Sequence, residues 1–280
     1  MHFINQIQKK YDIKETFVFV ETPGLTNSIY MSDTYVLRIP SDHPEAIPDA
    51  LTESVAVPNI LRFGIRTRKL IAFDDSYTIL NKPYSIWEKV NGIPITKESA
   101  HLFPKTWFEL GRELRILHTT VLDCYDPNNY LDTPDRDYDI NDVLMWVESK
   151  NNNSFLTHII KEMINPDLFK YNKCFVHGDT NPGNIISSKQ DNLLSLIDWG
   201  DAGWGDPAID FYMIPSVAIK YTLRGYIDIS NSSIDNNFYN RVILDKIAHL
   251  IDEGKSIFYI EDIITKILKD LQEIRDEKGF

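Results

Sequence analysis

The sequence predicts an α+β protein, in which a small antiparallel sheet is followed by a larger, mainly helical region. Short runs of β-branched and aromatic residues, the composition typical of strands, are concentrated in the first third of the 280-residue chain. From Trp107 onward, apolar residues instead recur every three or four positions, which is the helical period. The strands are expected at residues 16–20, 29–31, 35–39, 65–73 and 77–80.

Helical periodicity is strongest at the carboxyl-terminal end. The segment 257–274 carries isoleucine and leucine at alternating spacings of four and three residues, which predicts one apolar face packed against a core. A further helix is expected around residues 49–57, with a kink or a restart at Pro58, because proline has no N–H for the helical ladder. The other helices are expected at 2–11, 107–118, 141–147, 155–164, 211–221 and 238–251.

Composition and charge exclude several classes of protein. The formal net charge of −12 argues against a nucleic-acid-binding protein and permits a cationic partner. Cys124 and Cys174 have no metal-like spacing, so they are expected to be free thiols in a reducing compartment. No apolar run approaches the roughly 20 residues that span a bilayer. We therefore expect a cytoplasmic protein, a monomer without a membrane partner.

Chemically active side chains are concentrated in the stretch that follows the apolar run 174–176. Asp179 and Asn184 lie five residues apart with Pro182 and Gly183 between them, so a tight turn directs both side chains into one pocket. A second apolar run, 193–197, leads to Asp198 only 14 residues after Asn184, which suits two strands joined by a short hairpin that places Asp198 beside Asn184. Two carboxylates and an amide suit phosphoryl transfer, in which one carboxylate deprotonates a hydroxyl and the other groups hold magnesium.

The order of these residues resembles a known family. Residues 177–184 read His-Gly-Asp-x-x-Pro-Gly-Asn, and residues 197–210 read Ile-Asp-Trp-Gly-Asp-Ala-Gly-x-Gly-Asp-Pro-Ala-x-Asp. This pair of motifs resembles the aminoglycoside phosphotransferase and choline kinase family, whose members are relatives of protein kinases. The resemblance implies a two-lobed protein-kinase-like fold. It also implies that Asp179 is the catalytic base, that Asn184 and Asp198 bind Mg²⁺, and that His177 and Asp210 support the loops.

The resemblance places a nucleotide between the lobes. Arg38 ends an apolar strand where kinases carry the lysine that reaches the phosphates, and Glu53, on the following helix, is its expected partner. The turn before the second strand is expected to lie over the phosphates. It contains Gly24, and its hydroxyl and amide donors are Thr26, Asn27 and Ser28.

The boundary between the lobes is expected at the hinge of the family, near residues 84–92. Residues 1–87 would then form the nucleotide-binding lobe, and residues 88–280 the catalytic and substrate-binding lobe. Backbone groups from Glu88 to Val90 are expected to hydrogen-bond the edge of the purine.

The expected activity is Mg²⁺-dependent transfer of the γ-phosphate of ATP or GTP to a hydroxyl of a small molecule, foremost an aminoglycoside-type antibiotic, as in a resistance kinase. A metabolic kinase acting on choline, ethanolamine, a sugar or an amino-alcohol is the alternative. A nucleotide-binding regulator without catalysis and a metal-dependent hydrolase are rivals from other classes. Composition does not separate these alternatives.

A cationic acceptor is expected because carboxylates surround the predicted site. Asp201 and Asp206 follow Asp198 closely, so at least one of them is expected to border the acceptor pocket. Such carboxylates would concentrate polyamines through their field. The alternative is that the acidic residues only form a solvated surface. The further candidates are Asp132, Asp135, Asp137, Asp139, Asp142, Asp245, Asp252 and Glu253.

Overall fold

The strand-forming runs at the start of the chain build one antiparallel sheet, as predicted. The computed structural model describes residues 2–21, 26–151, 154–229 and 234–278. The strands are β1 Val18–Val20, β2 Asn27–Met31, β3 Tyr35–Pro40, β4 Leu70–Asp74 and β5 Tyr84–Glu88. They are hydrogen-bonded in the order β1-β2-β3-β5-β4. The middle strand is therefore β3, which ends beside the predicted nucleotide site.

The predicted strand at residues 77–80 is wrong. Tyr77 has a φ of 56°, which lies outside the strand region. Asp74 begins a turn there, because its Oδ1 accepts hydrogen bonds from the backbone N–H and the hydroxyl of Ser76. The sheet is completed instead by β5, whose residues 84–87 are buried. The stretch predicted as a hinge is thus a strand up to Glu88, which leaves residues 89–92 as the predicted connection between the lobes.

The first helix and the sheet enclose a small apolar core. Helix α1, His2–Lys10, contributes Ile4 and Ile7. These side chains pack in one buried cluster with Leu37 of β3 and Ile86 of β5, which lie opposite each other in the sheet. This core fixes the strand that carries Arg38.

Helix α2, Ala46–Leu61, crosses from the sheet to the larger lobe. It runs without interruption through Pro58, so the predicted restart is wrong. The next residue, Asn59, donates a hydrogen bond from its Nδ2 to the carbonyl of Val55 and so stabilises the turn that contains the proline. The buried face of α2 includes Ala56 and Ile60, which belong to the same apolar cluster as the helices of the larger lobe.

The larger lobe combines six helices with two small sheets among its described residues. Its strands and helices are β6 Ile93–Pro94, α3 Pro104–Thr120, α4 Ile140–Asn151, α5 Phe155–Met163, β7 Cys174–Val176, β8 Ile185–Ser187, β9 Leu193–Leu196, β10 Gly203–Gly205, α6 Ser216–Asp228, α7 Phe238–Asp252 and α8 Ile257–Lys278. Strands β8 and β9 form the predicted hairpin, within a sheet of order β6-β8-β9. The helix predicted from residue 211 begins only at Ser216, because residues 207–211 form a 3₁₀ turn. None of the described helices is both long enough and apolar enough to cross a bilayer.

Helices α3 and α6 pack closely through two glycines. A Cβ added at Gly111 would lie 1.9 Å from the carbonyl oxygen of Thr222, and one added at Gly225 would lie 1.9 Å from that of Phe108. Both obstacles are backbone atoms within helices, which do not move aside as a flexible side chain does. The two glycines therefore set the distance between α3 and α6.

We expect Gly225→Ala to lower the free energy of unfolding by about 1–3 kcal/mol, the usual effect of overpacking a close contact. Urea denaturation measures this change. Thr120→Ala, at an exposed position at the end of α3, is the control and should change the free energy of unfolding by less than about 0.5 kcal/mol. An unchanged urea midpoint for Gly225→Ala would show that the helices can separate freely.

Candidate active site

The loop after β7 brings Asp179 and Asn184 together. A 3₁₀ turn, Pro182–Asn184, reverses the chain, and Nδ2 of Asn184 donates to Oδ2 of Asp179 at 2.8 Å. Nδ2 of Asn181 donates to both oxygens of the same carboxylate, at 2.8 and 2.9 Å. The Asp179 carboxylate is therefore held in one orientation by two amide groups, in the pocket that the Pro-Gly turn predicted.

Asp210 holds the start of this loop through hydrogen bonds to its backbone. Its buried carboxylate accepts hydrogen bonds from the backbone N–H groups of His177 at 3.0 Å and Gly178 at 2.8 Å. It also lies 2.9 Å from Nε2 of His118 in α3. Burial alone would favour the neutral acid, but the hydrogen bond and charge of His118 outweigh it and hold the pKa of Asp210 below its usual value. The support expected of Asp210 thus has a direct structural basis.

His177 connects the two motif loops. Its Nδ1 accepts a hydrogen bond from the backbone N–H of Asp179 at 3.1 Å, and its Nε2 lies 3.1 Å from the carbonyl of Ile197. The backbone N–H of Ile197 in turn donates to the carbonyl of Asn184 at 2.9 Å. These contacts place the residue before Asp198 beside Asn184, and they give His177 a bracing position.

Asp198 follows β9 in a left-handed backbone conformation, with a φ of 67°. Its Oδ1 accepts a hydrogen bond from Arg38 at 2.9 Å, and the side chain is 41% exposed. Desolvation raises the pKa of the carboxyl, but the nearby Arg38 and Arg68 outweigh this effect, so the pKa lies below its usual value. Asp198 is therefore an anion that is open to a ligand.

Arg38 and Glu53 form the predicted ion pair, at 2.6 Å. Both side chains are buried, and Arg38 reaches Asp198 with its other terminal nitrogen. Desolvation lowers the pKa of Arg38, but the carboxylates of Asp198 and Glu53 raise it further, so the guanidinium keeps its charge. The structure adds Arg68, which the sequence analysis missed, at 2.8 Å from the other oxygen of Glu53. No motif marks this arginine in the sequence.

The residues expected over the phosphates are described only in part. Residues 22–25, including Gly24 of the predicted turn, lie outside the described residues. Thr26 is half-buried and its Oγ1 accepts a hydrogen bond from Nδ2 of Asn27 at 3.1 Å. Asn27 and Ser28 belong to β2, opposite Pro40 and Ile39 of β3. Their nucleotide contacts remain a prediction.

Two of the backbone groups expected to bond the purine are already engaged. The backbone N–H of Glu88 donates to the carbonyl of Lys69 at 2.9 Å, and the N–H of Lys89 donates to the carbonyl of Thr34 at 2.8 Å. The carbonyl of Glu88 and the backbone groups of Val90 stay the predicted contacts of the base.

A cleft of about 900 Å³ opens beside Asp179 and is strongly acidic. Its wall also contains Arg136 and the aromatic residues Tyr138, Trp146 and Tyr212. Asp139, part of the predicted acidic run, is absent from this wall and instead caps α4 through the backbone N–H of Asn141. The aspartates that line the cleft are Asp132, Asp135, Asp137, Asp142, Asp179, Asp201, Asp245 and Asp252.

The expectation that Asp206 borders the acceptor pocket is wrong. The side chain of Asp206 is fully buried, and its Oδ2 lies 2.6 Å from both Arg241 and Arg136. Its Oδ1 accepts a hydrogen bond from the backbone N–H of Ala208 at 3.0 Å and so caps the 3₁₀ turn that follows. A buried carboxylate is stable only with such partners, and these arginines and this N–H allow Asp206 to face inward.

Asp201 does line the cleft. Desolvation in the cleft, followed by repulsion from Asp179, Asp49 and two further carboxylates, raises the pKa of Asp201 to about 7. Asp49 of α2, which the sequence analysis did not single out, is affected in the same way, and its pKa rises to about 6. Repulsion between carboxylates contributes to both shifts after desolvation, and a cation bound at the site would oppose that repulsion.

Comparison with a protein family decides the class of the protein. A family model described as the APH phosphotransferase enzyme family matches residues 18–224, which is well over half of the chain. The chain belongs to this phosphotransferase family. The predicted resemblance and the predicted phosphotransferase class, with an alcohol group as acceptor, are thereby confirmed. No curated protein sequence gives a significant match to the phosphotransferase.

Solved structures with a similar fold cover nearly the whole phosphotransferase. Aminoglycoside 2′-phosphotransferase-IIIa in its GDP complex is 15% identical over 96% of this chain and 97% of that chain, with a TM-score of 0.60. The gentamicin complex of APH(2″)-IIa is 16% identical over 98% and 95%, with a TM-score of 0.61. A choline/ethanolamine kinase family protein from Mesorhizobium loti is 16% identical over 96% and 95%, with a TM-score of 0.58. The predicted two-lobed, protein-kinase-like fold is confirmed.

The residues predicted to bind Mg²⁺ fit an ion that is shared with a nucleotide. Nδ2 of Asn184 makes both of its hydrogen bonds to Asp179, which leaves Oδ1 for a cation, and Asp198 supplies a carboxylate. Within the described ranges, no group of three or more His, Cys, Asp or Glu is placed to hold a metal. Mg²⁺ commonly binds through one or two carboxylates together with substrate phosphates. The donor set of the phosphotransferase suits that mode.

Proposed function

We propose that this phosphotransferase transfers the γ-phosphate of ATP or GTP to a hydroxyl of a polycationic small molecule, an aminoglycoside-type antibiotic. The observation that carries the proposal is the acidic cleft of about 900 Å³ that opens at Asp179. A cleft of that size suits a drug-sized ligand. Its carboxylates would attract several ammonium groups, while Asp179 faces the hydroxyl to be phosphorylated.

In the proposed reaction, Asp179 orients the acceptor hydroxyl and takes its proton as the phosphoryl group is transferred. The amides of Asn181 and Asn184 fix the carboxylate, which lowers the cost of orienting it in the transition state. Arg38 is the proposed cation for the phosphates. Asn184 and Asp198 would hold Mg²⁺, which neutralises phosphate charge when it is bound.

The composition of the cleft favours several amines over one quaternary ammonium group. Recognition of a choline-type cation typically uses a cage of aromatic faces. Here carboxylates predominate, since eight aspartates line the cleft beside three aromatic residues. The named kanamycin and gentamicin complexes of similar structures support the same interpretation.

A choline or ethanolamine kinase is the second candidate. Its support is the similar fold of the choline/ethanolamine kinase family protein from Mesorhizobium loti. The catalytically silent regulator loses support, because Asp179, Asn184 and the ion pair of Arg38 with Glu53 are all in place. Similar structures hold GDP, ADP or ATP, so either purine donor agrees with the proposal.

A panel of acceptors tests the proposal. We would measure phosphorylation of aminoglycosides, choline, ethanolamine and neutral sugars with ATP and with GTP, each over a series of salt concentrations. We expect turnover with aminoglycosides and a KM that rises with salt, because salt screens the field of the cleft over roughly 10 Å at 0.1 M. Turnover confined to choline or ethanolamine would favour the second candidate, and turnover confined to neutral acceptors would refute a polycationic substrate.

We expect the affinity for an aminoglycoside to increase as the pH rises from about 6 to 8. Asp201, with a pKa of about 7, is mostly protonated at the lower end of this range and negatively charged at the upper end. Each unit of added negative charge near the acceptor strengthens its binding. Calorimetric titration without nucleotide, at constant ionic strength, measures the Kd. Asp201→Asn should flatten the pH dependence, and an equally steep dependence in that variant would assign it to another group.

A further inference from the structure

Glu53 binds two arginines, whereas the sequence predicted one. Its Oε2 lies 2.6 Å from Arg38, and its Oε1 lies 2.8 Å from Arg68. The exposed fractions of the three residues are 6% for Arg38, 3% for Glu53 and 8% for Arg68. Each oxygen of the carboxylate therefore has its own guanidinium, away from solvent.

Arg38 also connects Glu53 to Asp198, the predicted metal ligand. Arg38 is also bonded to Asp198 at 2.9 Å, so that Arg68, Glu53, Arg38 and Asp198 form a row of alternating charges. Two cations balance two anions in this row. Because an unpaired buried charge is strongly unfavourable, each member depends on its neighbours.

A nucleotide bound as in the proposed function would contact the end of this row that is formed by Arg38 and Asp198. Arg38 would share its hydrogen bonds with the phosphates, and Asp198 would turn to the metal. Glu53 would then lose part of its pairing with Arg38 while it stayed buried. The other end of the row has contacts outside it, because Arg68 lies over the ring of Trp87 at 4.5 Å, and its neighbour Thr67 accepts a hydrogen bond from Trp199 at 3.0 Å.

Two features of the environment of Arg68 are unfavourable for a buried cation. Its Nε has no hydrogen-bond partner within the part of the chain that the structure describes, although the atom is buried. Burial also lowers the pKa of Arg68, and the charge of Glu53 opposes this shift only in part. A buried donor without a partner destabilises a fold. Arg68 is thus held by Glu53 and Trp87 although one of its buried donors has no partner.

We propose that Arg68 is a positioning residue for nucleotide binding. It pairs with the Glu53 carboxylate and holds it in place, so that Arg38 can bond the phosphates without leaving a buried carboxylate unpaired. The proposal rests on the proposed function, because it requires a nucleotide at Arg38. It assigns to Arg68 an effect on nucleotide affinity without a contact to the nucleotide.

The test compares Arg68→Met, Arg68→Lys and the control Arg62→Met, which removes a mostly exposed arginine of the same lobe. We would measure the Kd for ATP with Mg²⁺ by calorimetry, the KM for an aminoglycoside, and thermal unfolding without nucleotide. We expect Arg68→Met to weaken ATP binding about tenfold, a coupling typical of neighbouring charged residues. Arg68→Lys should recover most of the affinity, and the KM of the acceptor should stay within about twofold of the wild type.

A double-variant cycle distinguishes positioning from general destabilisation. Once Glu53→Gln has removed the carboxylate, Arg68→Met should change the Kd for ATP by less than about twofold, because Arg68 has no charge left to hold. A lower melting temperature with an unchanged Kd for ATP, or additive effects in the double variant, would overturn the proposal. If the wild type binds no nucleotide, the proposed function fails and this inference fails with it. If the wild type binds ATP and Arg68→Met binds it equally well, only the inference fails.

Discussion

Asp179→Asn should lower kcat by roughly 10²- to 10⁴-fold, the range typical of a lost general base. The amides of Asn181 and Asn184 hold the carboxylate at the mouth of the acidic cleft, where a hydroxyl of the acceptor would lie. An asparagine at position 179 has nearly the same shape but does not take a proton. The melting temperature and the Kd for ATP should therefore remain close to those of the wild type.

Asp201→Asn is the matched control, since it neutralises another carboxylate of the same cleft. It should raise the KM of a cationic acceptor while kcat stays within a few-fold of the wild type. Single-turnover measurements with a verified acceptor separate the chemical step from product release. Near wild-type turnover in Asp179→Asn would point to a different base.

Asp198→Ala should lower kcat/KM for the Mg²⁺-bound nucleotide by at least about 10²-fold, because stabilisation of transferred phosphoryl charge by a metal contributes several kcal/mol. The exposed Asp198 carboxylate is the charged member of the predicted ligand pair. Asn184→Ala should have a smaller effect, since a neutral amide offsets less of the ion's charge. The measurement is the rate as a function of free Mg²⁺ at nucleotide concentrations below KM, where the rate reports kcat/KM.

Asp198 also bonds Arg38, so its loss has a second effect that must be separated from the first. Asp198→Asn preserves the shape and a possible hydrogen-bond acceptor for Arg38 but removes the negative charge. If the metal role is correct, Asn and Ala at this position should both shift the Mg²⁺ dependence to higher concentration. A reduced rate with an unaltered Mg²⁺ dependence would assign Asp198 to holding Arg38 alone.

The sequence was most informative where local pattern determines structure. The periodicity located the helices of the larger lobe, and the Pro-Gly turn correctly placed Asn184 beside Asp179. The strand at 77–80 was predicted wrongly because its apolar residues resemble a strand while Asp74 forms a turn that ends the ladder. The completing strand, Tyr84–Glu88, has the same composition and lacks such a turn.

The errors at the site concern partners that are distant in sequence. Asp206 and Asp201 follow the same motif and have the same side chain, yet Asp206 is buried because Arg241 and Arg136 meet it there. Arg68 was missed for the same reason, since its pairing with Glu53 depends on how α2 packs beside the segment that leads into β4. Charge pairs of this kind depend on tertiary packing, so the spacing of residues within a motif does not predict them.

The two lobes defined by sequence are not two independent folding units. Because Ala56 and Ile60 of α2 share a buried cluster with Trp107 and Trp199, the apolar surface of one lobe is completed by the other. Cutting the chain in the connection 89–92 would leave this face of α2 without its cover, so a fragment of the first lobe alone would be prone to aggregate. For protein engineering, split reporters or transplanted nucleotide lobes made from this chain would have to keep α2 together with its helical partners.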